Sequence, residues 1–516
     1  MRFRFSRLVR NGGDSEKIWR EGRRLWAISF ADDIIILGAK GQTLREGRAQ
    51  SYGLKHRVCH GGGLPNSPSF VSRKGVFCMF LSQLQRSSGE MYLPLGELAL
   101  ALVSTADLVD PRLFDHHLRV AYLAYQLGDA LGFTEERKRN LLFAGLFHDL
   151  GAFSLRERLE ALQFDFSSGH THAFVTASLL AKFPLFSEMA SIVRFHHLLW
   201  NDGAGSRFGA LPVPFESHLV HLADRVSILF RVSSDPLWEM KKKVVLIRDF
   251  VPRVFAPTAF AALEALLDKE YVWFDFASPL LREILADILA RQNVTLTLQE
   301  SLAFCRFAAH LVDFRSPFTA THSEGVAAIA CAVGRFMGLE KIETDALWAA
   351  GLLHDLGKIA IPGEILEKPS ALNRRELHIM RQHPYLTYQV LSRVRDVKPL
   401  AEIAANHHER LDGRGYPWRK NASQLCLASR IVAVSDVFTA LSEERPYRPP
   451  LTFPKTVRIL QDMVRAGSLD KDVVGCVLTY GEKLLSTLRV VQKKVSAGYR
   501  AFRENAHKDE QCSTYR

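Results

Sequence analysis

Hydrophobic residues recur at helical spacing along most of this chain beyond residue 92. Residues 118–127 and 141–146 carry apolar side chains at positions i, i+3 and i+4, which is the pattern of amphipathic helices. Between them, Thr134 precedes Glu135 and Glu136, a combination typical of a helix N-terminus. The same periodicity returns at residues 174–180, 192–197, 219–230, 260–267 and 280–289. Strand and helix patterns do not alternate, so the sequence predicts an all-α fold.

Residues 1–90 form a different kind of segment. They contain sixteen Lys and Arg against seven Asp and Glu, so most of the net charge of +12 lies here. Residues 31–37 have a short strand pattern, whereas residues 45–75 are rich in Gly, Ser, Arg and His without a period. We predict a basic leader with little structure, either disordered or produced by a start codon placed too far upstream. A small sensory domain and a nucleic-acid-binding arm are the less favoured alternatives.

The rest of the composition is that of a globular protein. Seven cysteines are scattered without a C-x-x-C pair, which argues against a disulfide framework or a zinc ribbon. The charged N-terminus lacks the apolar segment of a secretory signal, and the most hydrophobic run, residues 93–109, is interrupted by Glu97 and Asp107. We therefore predict a cytoplasmic location, no membrane span and no nucleic-acid polymer as a partner.

The two halves of the chain share seven metal-type residues in one order. These residues are His116, His148, Asp149, His172, His196, His197 and Asp224 in the first half, and His322, His354, Asp355, His383, His407, His408 and Asp436 in the second. The first histidine precedes the His-Asp pair by 32 residues in both halves, and the third histidine precedes the His-His pair by 24. Only the loop after the His-Asp pair differs by more than one residue, and loops tolerate such changes. A gene duplication that produced two tandem helical domains explains this similarity.

A chain of 516 residues exceeds what one hydrophobic core usually serves, so several domains are expected. We place a basic N-terminal segment at residues 1–90, the first copy at 91–235 and a helical connector at 236–299. The second copy then occupies residues 300–490, and a C-terminal tail follows at 491–516.

The ligand set of the second copy points to two metal ions. Five imidazoles and two carboxylates are too many for one tetrahedral ion, and mixed ligation of this kind suits iron or manganese better than structural zinc. Asp355 follows His354 in the middle of the set and can bridge two ions. Two ions roughly 3.5–4 Å apart activate water and hold the attacking and leaving oxygens of a phosphoryl displacement. We therefore predict phosphoester hydrolysis with two divalent ions.

Several nearby residues support this reaction. Lys358, one helical turn beyond His354 if the helix continues, could stabilise charge on a phosphate oxygen. Arg445 and Arg448 offer planar guanidinium groups for phosphate. Gly415 would let the backbone approach the substrate, and Tyr416 would offer a stacking face. Alternatively, Tyr416 packs the loop and Arg445 pairs with a neighbouring glutamate.

Two stretches of the second copy combine into a compound motif, His354-Asp355-Leu356-Gly357-Lys358 and His408-Glu409 with Gly415-Tyr416-Pro417. This motif resembles that of the HD-GYP family, a subgroup of the HD-domain metal-dependent phosphohydrolases, over residues 300–490. The resemblance implies an all-α domain that hydrolyses cyclic di-GMP to the linear dinucleotide pGpG or on to GMP. The partner that it implies is a cyclic dinucleotide substrate.

The resemblance also implies roles for individual residues. One metal ion would be held by His322, His354, Asp355 and Asp436, and the other by Asp355, His383, His407 and His408. Lys358 and Asp355 would be catalytic, and Arg445 and Arg448 would bind phosphate. Some family members bind a third metal through a glutamate four residues before the first histidine. This chain has Phe318 there, so two ions are expected.

The first copy resembles an HD domain without the GYP loop. Lys358 aligns with Ala152, and the Gly-Tyr-Pro sequence has no counterpart. Its seven metal-type residues either form a second metal site or hydrogen-bond internally in a regulatory or dimerisation domain. Diesterase activity is therefore expected from the second copy, with the first copy serving regulation, a homodimer or a signalling partner.

Three alternatives to a cyclic di-GMP phosphodiesterase follow from the same residues. The motif does not read the second base, so cyclic GMP-AMP could be the substrate. A receptor that binds the dinucleotide without hydrolysis is a second alternative, although such a protein need not keep Lys358 and every ligand. A hydrolase of mononucleotides is the third, and the Gly415-Tyr416-Pro417 sequence argues against it.

Overall fold

A computed structural model describes residues 26–30, 33–37, 93–110, 113–153, 157, 159, 171–230, 235–315, 319–368, 370–444 and 449–514. By its contacts the chain divides into two units, Met1–Ser67 and Pro68–Arg516. The described part of the first unit is an antiparallel hairpin of strands β1 (Trp26–Phe30) and β2 (Asp33–Leu37). Strand β2 falls within the strand pattern predicted at residues 31–37. The rest of the predicted leader lies outside the described residues.

The second unit is helical, which confirms the predicted fold class. Its first part contains β3 (Leu93–Pro94), α1 (Leu95–Asp107), α2 (His116–Ala130), α3 (Glu135–Phe147), α4 (Thr171–Leu180), α5 (Ser187–Arg194), β4 (Arg207–Phe208), β5 (Leu211–Pro212) and α6 (Phe215–Leu229). Short 3₁₀ segments lie at Pro184–Phe186 and Asn201–Ser206. Thr134 caps α3 as predicted, because its hydroxyl accepts a hydrogen bond from the backbone N–H of Arg137.

The connector and the second copy continue with further helices. They are α7 (Pro236–Arg248), α8 (Pro257–Leu266), α9 (Glu270–Ala277), α10 (Leu281–Gln292), β6 (Thr295–Leu296), α11 (Leu298–Asp313), α12 (His322–Phe336), α13 (Lys341–Leu353), α14 (Gly363–Leu366), α15 (Arg374–Met380), α16 (His383–Leu391), α17 (Lys398–Ala405), α18 (Leu427–Ser442), α19 (Phe453–Arg465) and α20 (Lys471–Thr514). Strand β6 pairs with β3, which fastens the start of the first copy to the end of the connector. None of the described helices is long and apolar enough to cross a bilayer.

The two copies repeat each other helix by helix. Helices α2 and α12 both have 15 residues, and α3 and α13 both have 13. In each copy a glycine lets this pair of helices touch: a Cβ atom added to Gly145 would lie 2.5 Å from the Cα of Ala121, and one added to Gly351 would lie 2.5 Å from that of Ala327. The close packing holds the helix that ends in the His-Asp pair against the helix that begins with the first histidine.

This packing leads to a stability prediction for Gly351→Ala. The new methyl group would overlap backbone and force the helices apart, so we expect the free energy of unfolding to fall by about 1–3 kcal/mol. Gly475→Ala is the matched control, because a Cβ there has no atom within 4 Å and alanine favours a helix by about 1 kcal/mol. Denaturant unfolding measures both. Equal stability of Gly351→Ala and the parent protein would contradict the packing.

The two copies also share a core. Phe307 of α11 lies 5.8 Å from Phe147 and 5.2 Å from Phe186 between ring centroids, so the helix that leads into the second copy packs among aromatic rings of the first. Helix α20 packs against α12 and also against α4. The Lys182 ammonium, just beyond α4, donates a hydrogen bond to the backbone carbonyl of Gly498 in α20. A change in one copy can therefore reach the other through direct contacts.

Candidate metal centres

The backbone fixes the orientation of the histidines in the second copy. Nδ1 of His354 lies 2.7 Å from the carbonyl of Gly351, and Nδ1 of His407 lies 2.8 Å from that of Ala404. His383 makes the same contact with the carbonyl of Met380. A carbonyl only accepts, so each Nδ1 carries the proton and each Nε2 presents a lone pair. This is the tautomer that a metal-binding imidazole needs.

Asp355 lies at the centre of the assembled ligands. Its Oδ1 is 3.3 Å from Nε2 of His383 and 3.8 Å from Nε2 of His407. Its Oδ2 is 3.1 Å from Nε2 of His354 and 3.8 Å from Nε2 of His322. The two oxygens therefore face different groups of histidines, which is the arrangement expected of a bridging carboxylate.

Burial and charge keep these groups in their ligand forms. Burial lowers the pKa of His383 to about 3 and that of His407 to about 4, so both rings stay neutral near pH 7. Burial acts to raise the pKa of Asp355, but His354 and Lys358 outweigh it and hold that pKa well below its usual range. The centre thus offers the neutral imidazoles of His383 and His407 beside an ionised carboxylate.

His322 is held by carboxylates on both sides of its ring. Nε2 lies 3.2 Å from Oδ1 of Asp436, and Nδ1 lies 2.9 Å from Oε2 of Glu443. Glu443 is buried and was not predicted from the sequence. Such a carboxylate orients a ligand histidine and raises its basicity. The sequence did contain a signal for this contact. Glu443 follows Asp436 by two helical turns at the end of α18, so both carboxylates lie on the same face of the helix.

Lys358 reaches the centre by a different route from the one predicted. Helix α13 ends at Leu353, and a 3₁₀ segment, Leu356–Ala360, follows the His-Asp pair. The Lys358 ammonium nevertheless lies 2.6 Å from Oδ2 of Asp355, so the tight turn brings it to the bridging carboxylate. The Lys358 side chain is partly exposed, so a bound small molecule can reach its ammonium group from solvent.

The loop with the Gly-Tyr-Pro sequence folds around Glu409. The buried Glu409 carboxylate accepts hydrogen bonds from the backbone N–H groups of Trp418 and Lys420. A Cβ on Gly415 would lie 2.5 Å from the Cα of Glu409, so only glycine allows this close turn. The Tyr416 ring stacks on His408 with centroids 4.9 Å apart. These contacts favour the alternative that Tyr416 packs the loop and supports a metal ligand.

Not every predicted site residue can be located. Arg445, Arg448 and the position of Phe318 lie outside the described residues, so their roles stay predictions. Arg381 at the end of α15 is a cation that the sequence analysis missed, and its guanidinium lies 4.5 Å from the centroid of the Tyr416 ring. It adds positive charge beside the loop.

The first copy assembles its seven residues in the same way. Nε2 of His172 and Nε2 of His196 lie 3.1 and 3.5 Å from Oδ1 of Asp149, while Nε2 of His148 lies 3.4 Å from its Oδ2. Nε2 of His116 lies 3.3 Å from Oδ1 of Asp224. Asp149 therefore occupies the same bridging place as Asp355, and the predicted second site is geometrically complete.

The electrostatics of the first copy differ. The buried Arg225 guanidinium contacts Oδ2 of Asp224 at 2.6 Å, whereas the aligned residue of the second copy is Val437. Burial acts to lower the pKa of His148, but Asp149 and Asp224 outweigh it and raise that pKa to about 9. Ala152 takes the place of the lysine. The first copy thus lacks a counterpart of the Lys358 ammonium and has a guanidinium on one oxygen of Asp224 instead.

The loop after the His-His pair keeps its glycines in the first copy. Gly203 and Gly413 both have positive φ, 96° and 73°, and a Cβ on Gly205 would overlap the preceding backbone as one on Gly415 would. The first copy therefore keeps the glycine framework of the loop although it lacks the Gly-Tyr-Pro sequence. Ser206 follows Gly205 in the first copy, whereas Tyr416 follows Gly415 in the second. The first copy therefore has no counterpart of the tyrosine ring that stacks on His408.

Both centres fit metal ions. Among the described residues, five groups of three or four ligand atoms converge to within 4.8 Å of one another, slightly more than the roughly 4.4 Å that two bonds of about 2.2 Å to a common ion can span. Within the two candidate ligand sets, four buried histidine Nε2 atoms make no hydrogen bond, those of His116, His148, His196 and His354. Buried polar atoms are normally satisfied, so these ring nitrogens fit the role of metal ligands. Imidazole and carboxylate donors of this kind suit divalent metal ions.

Comparisons with known proteins find two HD domains. One family described as HD domain matches residues 113–229, and another with the same description matches residues 283–473. The chain is 30% identical over 382 residues to the 3'3'-cGAMP-specific phosphodiesterase 1 of Vibrio cholerae serotype O1, covering 70% of this chain and 86% of that relative. It is 38% identical over 154 residues to the cyclic di-GMP phosphodiesterase response regulator RpfG of Xanthomonas campestris, covering 30% of this chain and 41% of the relative. A solved cyclic GMP-AMP specific phosphodiesterase of V. cholerae shares the fold, with a TM-score of 0.52 at 22% identity over 75% of this chain and 97% of that one.

Proposed function

Because this chain belongs to the HD-GYP-type family of HD-domain proteins, we propose that it is a metal-dependent cyclic dinucleotide phosphodiesterase. The observation that carries this proposal is the Asp355 carboxylate between two groups of histidines, with the Lys358 ammonium 2.6 Å from it. The reaction takes place in the second copy. It breaks one phosphodiester bond of the ring and releases a linear dinucleotide, pGpG if the substrate is cyclic di-GMP.

The residues of the second copy divide the work of this reaction. Two divalent ions, iron or manganese, held by the seven ligands would supply Lewis-acid activation of water and of the phosphoryl group. The Nδ1 bonds to backbone carbonyls keep the three Nε2 donors of His354, His383 and His407 in place. Lys358 donates to a non-bridging phosphate oxygen as negative charge builds up on it. Arg445 and Arg448, which follow Glu443 in sequence, bind the second phosphate.

Two observations bear on which cyclic dinucleotide is the substrate. The Gly-Tyr-Pro motif favours cyclic di-GMP, because that is the substrate which the family resemblance implies. A relative that matches 70% of this chain is named as a 3'3'-cGAMP-specific enzyme, whereas RpfG matches only 30% of it. If both copies contribute to substrate specificity, the relative that matches more of the chain is the better guide to the substrate. We therefore favour 3'3'-cGAMP, with cyclic di-GMP as the second candidate.

Parallel kinetics on the two dinucleotides test the substrate. We expect kcat/KM for 3'3'-cGAMP to exceed that for cyclic di-GMP by about tenfold or more, the discrimination available from hydrogen bonds to one base. The protein is purified without oxygen and loaded with iron or manganese, so that the ions stay divalent. Equal values, or a preference for cyclic di-GMP, would contradict the assignment to 3'3'-cGAMP while leaving the reaction class intact.

The first copy is assigned a different role. Its ligands are complete, so it binds metal, but Ala152 and Ser206 replace the lysine and the tyrosine of the second copy. Without a cation for the phosphate it does not hydrolyse dinucleotides. Its role is regulatory, exerted through the shared core. The receptor alternative for the whole chain is disfavoured because Lys358 is retained and lies directly at the second centre.

A further inference from the structure

One buried side chain joins the segments that follow the two His-Asp pairs. Arg315, at the end of α11, is 8% exposed. Its Nη1 donates to the backbone carbonyl of Lys358 at 3.0 Å and to that of Ile361 at 3.4 Å. Its Nη2 donates to the backbone carbonyl of Phe153 in the first copy. The guanidinium therefore bridges the two halves of the molecule at their metal centres.

The position of these contacts is equivalent in the two copies. Lys358 aligns with Ala152, and Phe153 is the next residue. The two carbonyls that Arg315 contacts, those of Lys358 and Phe153, therefore lie one residue apart in the alignment of the two copies. The residue that aligns with Arg315 in the first copy is Val109, so the bridge is not a duplicated feature. A planar guanidinium has five N–H donors and can hold carbonyls on two sides, which a lysine ammonium cannot do with the same geometry.

We propose that Arg315 is a positioning residue that holds the backbone of Lys358 and couples it to the state of the first metal centre. The inference rests on the proposed function for its effect on turnover. The Lys358 ammonium contacts Asp355, so the position of its backbone sets where the positive charge lies relative to the bridging carboxylate. A shift of about 1 Å at such a group can lower turnover by up to a hundredfold.

The coupling has a direct physical route. The Phe153 segment begins at Asp149, whose carboxylate bridges the ligands of the first copy. A change in metal occupancy there moves this segment, and the Phe153 carbonyl moves with it. Because the carbonyls of Phe153 and Lys358 share one guanidinium, Arg315 must reorient or lose one of these two hydrogen bonds. The Lys358 carbonyl keeps the backbone N–H of Ile361, but a hydrogen bond from a charged guanidinium is stronger than a neutral one, so its loss is costly and the movement is transmitted.

Substitution of Arg315 tests the positioning role. In Arg315→Lys and Arg315→Met we expect kcat to fall about tenfold, with KM changed less than about twofold and the metal content unchanged. Amide hydrogen exchange in residues 356–361 should become faster, a readout that does not depend on any substrate. The matched control is Arg395→Met, which removes an exposed inter-copy contact with Glu97 far from either His-Asp segment in sequence. Unchanged exchange in residues 356–361 of the Arg315 variants would overturn the proposal.

A double-mutant comparison tests the coupling. His148→Ala should speed exchange in residues 356–361 of the parent protein and lower its kcat about threefold. The same change should have no further effect in Arg315→Lys, because the connection is already broken. Additive effects in the double variant, or no effect of His148→Ala in the parent, would overturn the coupling. If no variant or parent hydrolyses a dinucleotide, the proposed function fails, while the exchange data still decide the role of Arg315.

Discussion

Asp355→Asn is expected to abolish hydrolysis of cyclic dinucleotides and to remove the metal from the second copy. Oδ1 of Asp355 faces His383 and His407, and its Oδ2 faces His322 and His354. An amide has one acceptor oxygen and one donor nitrogen, so it cannot bridge two cations. Metal-ion catalysis contributes several kcal/mol to such reactions, and we therefore expect turnover to fall by about a thousandfold or more. Elemental analysis and a product assay on the same sample measure both losses.

Asp149→Asn is the matched control for this variant. It makes the same change at the equivalent atom of the first copy, where the bridging contacts are of similar length. We expect it to lose the metal of the first copy, while the second copy keeps its metal and retains turnover within a few-fold. Complete loss of turnover in a folded Asp149→Asn protein, with activity preserved in Asp355→Asn, would reverse the assignment of roles to the two copies.

Lys358→Met is expected to lower kcat by about 10²–10³-fold, the range for removing one group that stabilises an oxyanion. Methionine has a similar length without the charge, so the side chain can still fill its partly buried place. The metal content should be unchanged, because Lys358 contacts Asp355 without being a ligand itself. Steady-state kinetics with metal-loaded protein separate the effect on kcat from that on KM.

Lys368→Met provides the control for Lys358→Met. Lys368 is also partly buried and pairs with Glu376, but it belongs to neither the ligand set nor the loop. Its substitution should leave kcat within about twofold. An unchanged kcat in Lys358→Met would show that the ammonium does not act on the phosphate, and the distinction drawn between the two copies would lose its basis.

The convergence of the candidate ligands could be predicted from the sequence because the repeat constrains their positions. Matched intervals of 32 and 24 residues in both halves identify which histidines belong to the set, and the helices then place them together. The helical segments were predictable for the same reason, since buried faces need apolar residues at regular spacing. Thr134 at the start of α3 shows that a capping residue can also be identified in this way.

Other features depend on contacts that sequence spacing does not encode. Glu443 lies 121 residues from His322, and Arg315 lies 162 residues from Phe153, so the separation in sequence does not indicate either contact. For Glu443 the one local signal is its position two turns beyond Asp436. The backbone conformation that brings Lys358 to Asp355 differs from the predicted continuous helix, because the helix ends at Leu353 and a 3₁₀ segment follows. In the first loop the sequence indicates at best a shifted Asp202-Gly203, because an insertion of one residue obscures the glycine framework that the backbone angles reveal.

The most direct measurement is a single-turnover product assay on the parent protein, purified without oxygen and loaded with iron or manganese. The dinucleotide is mixed with excess protein, and the products are separated over time beside a metal-free sample. We predict that a linear dinucleotide forms only in the metal-loaded sample. Tight binding of the cyclic dinucleotide by metal-loaded protein without any linear product would contradict hydrolysis and support a receptor.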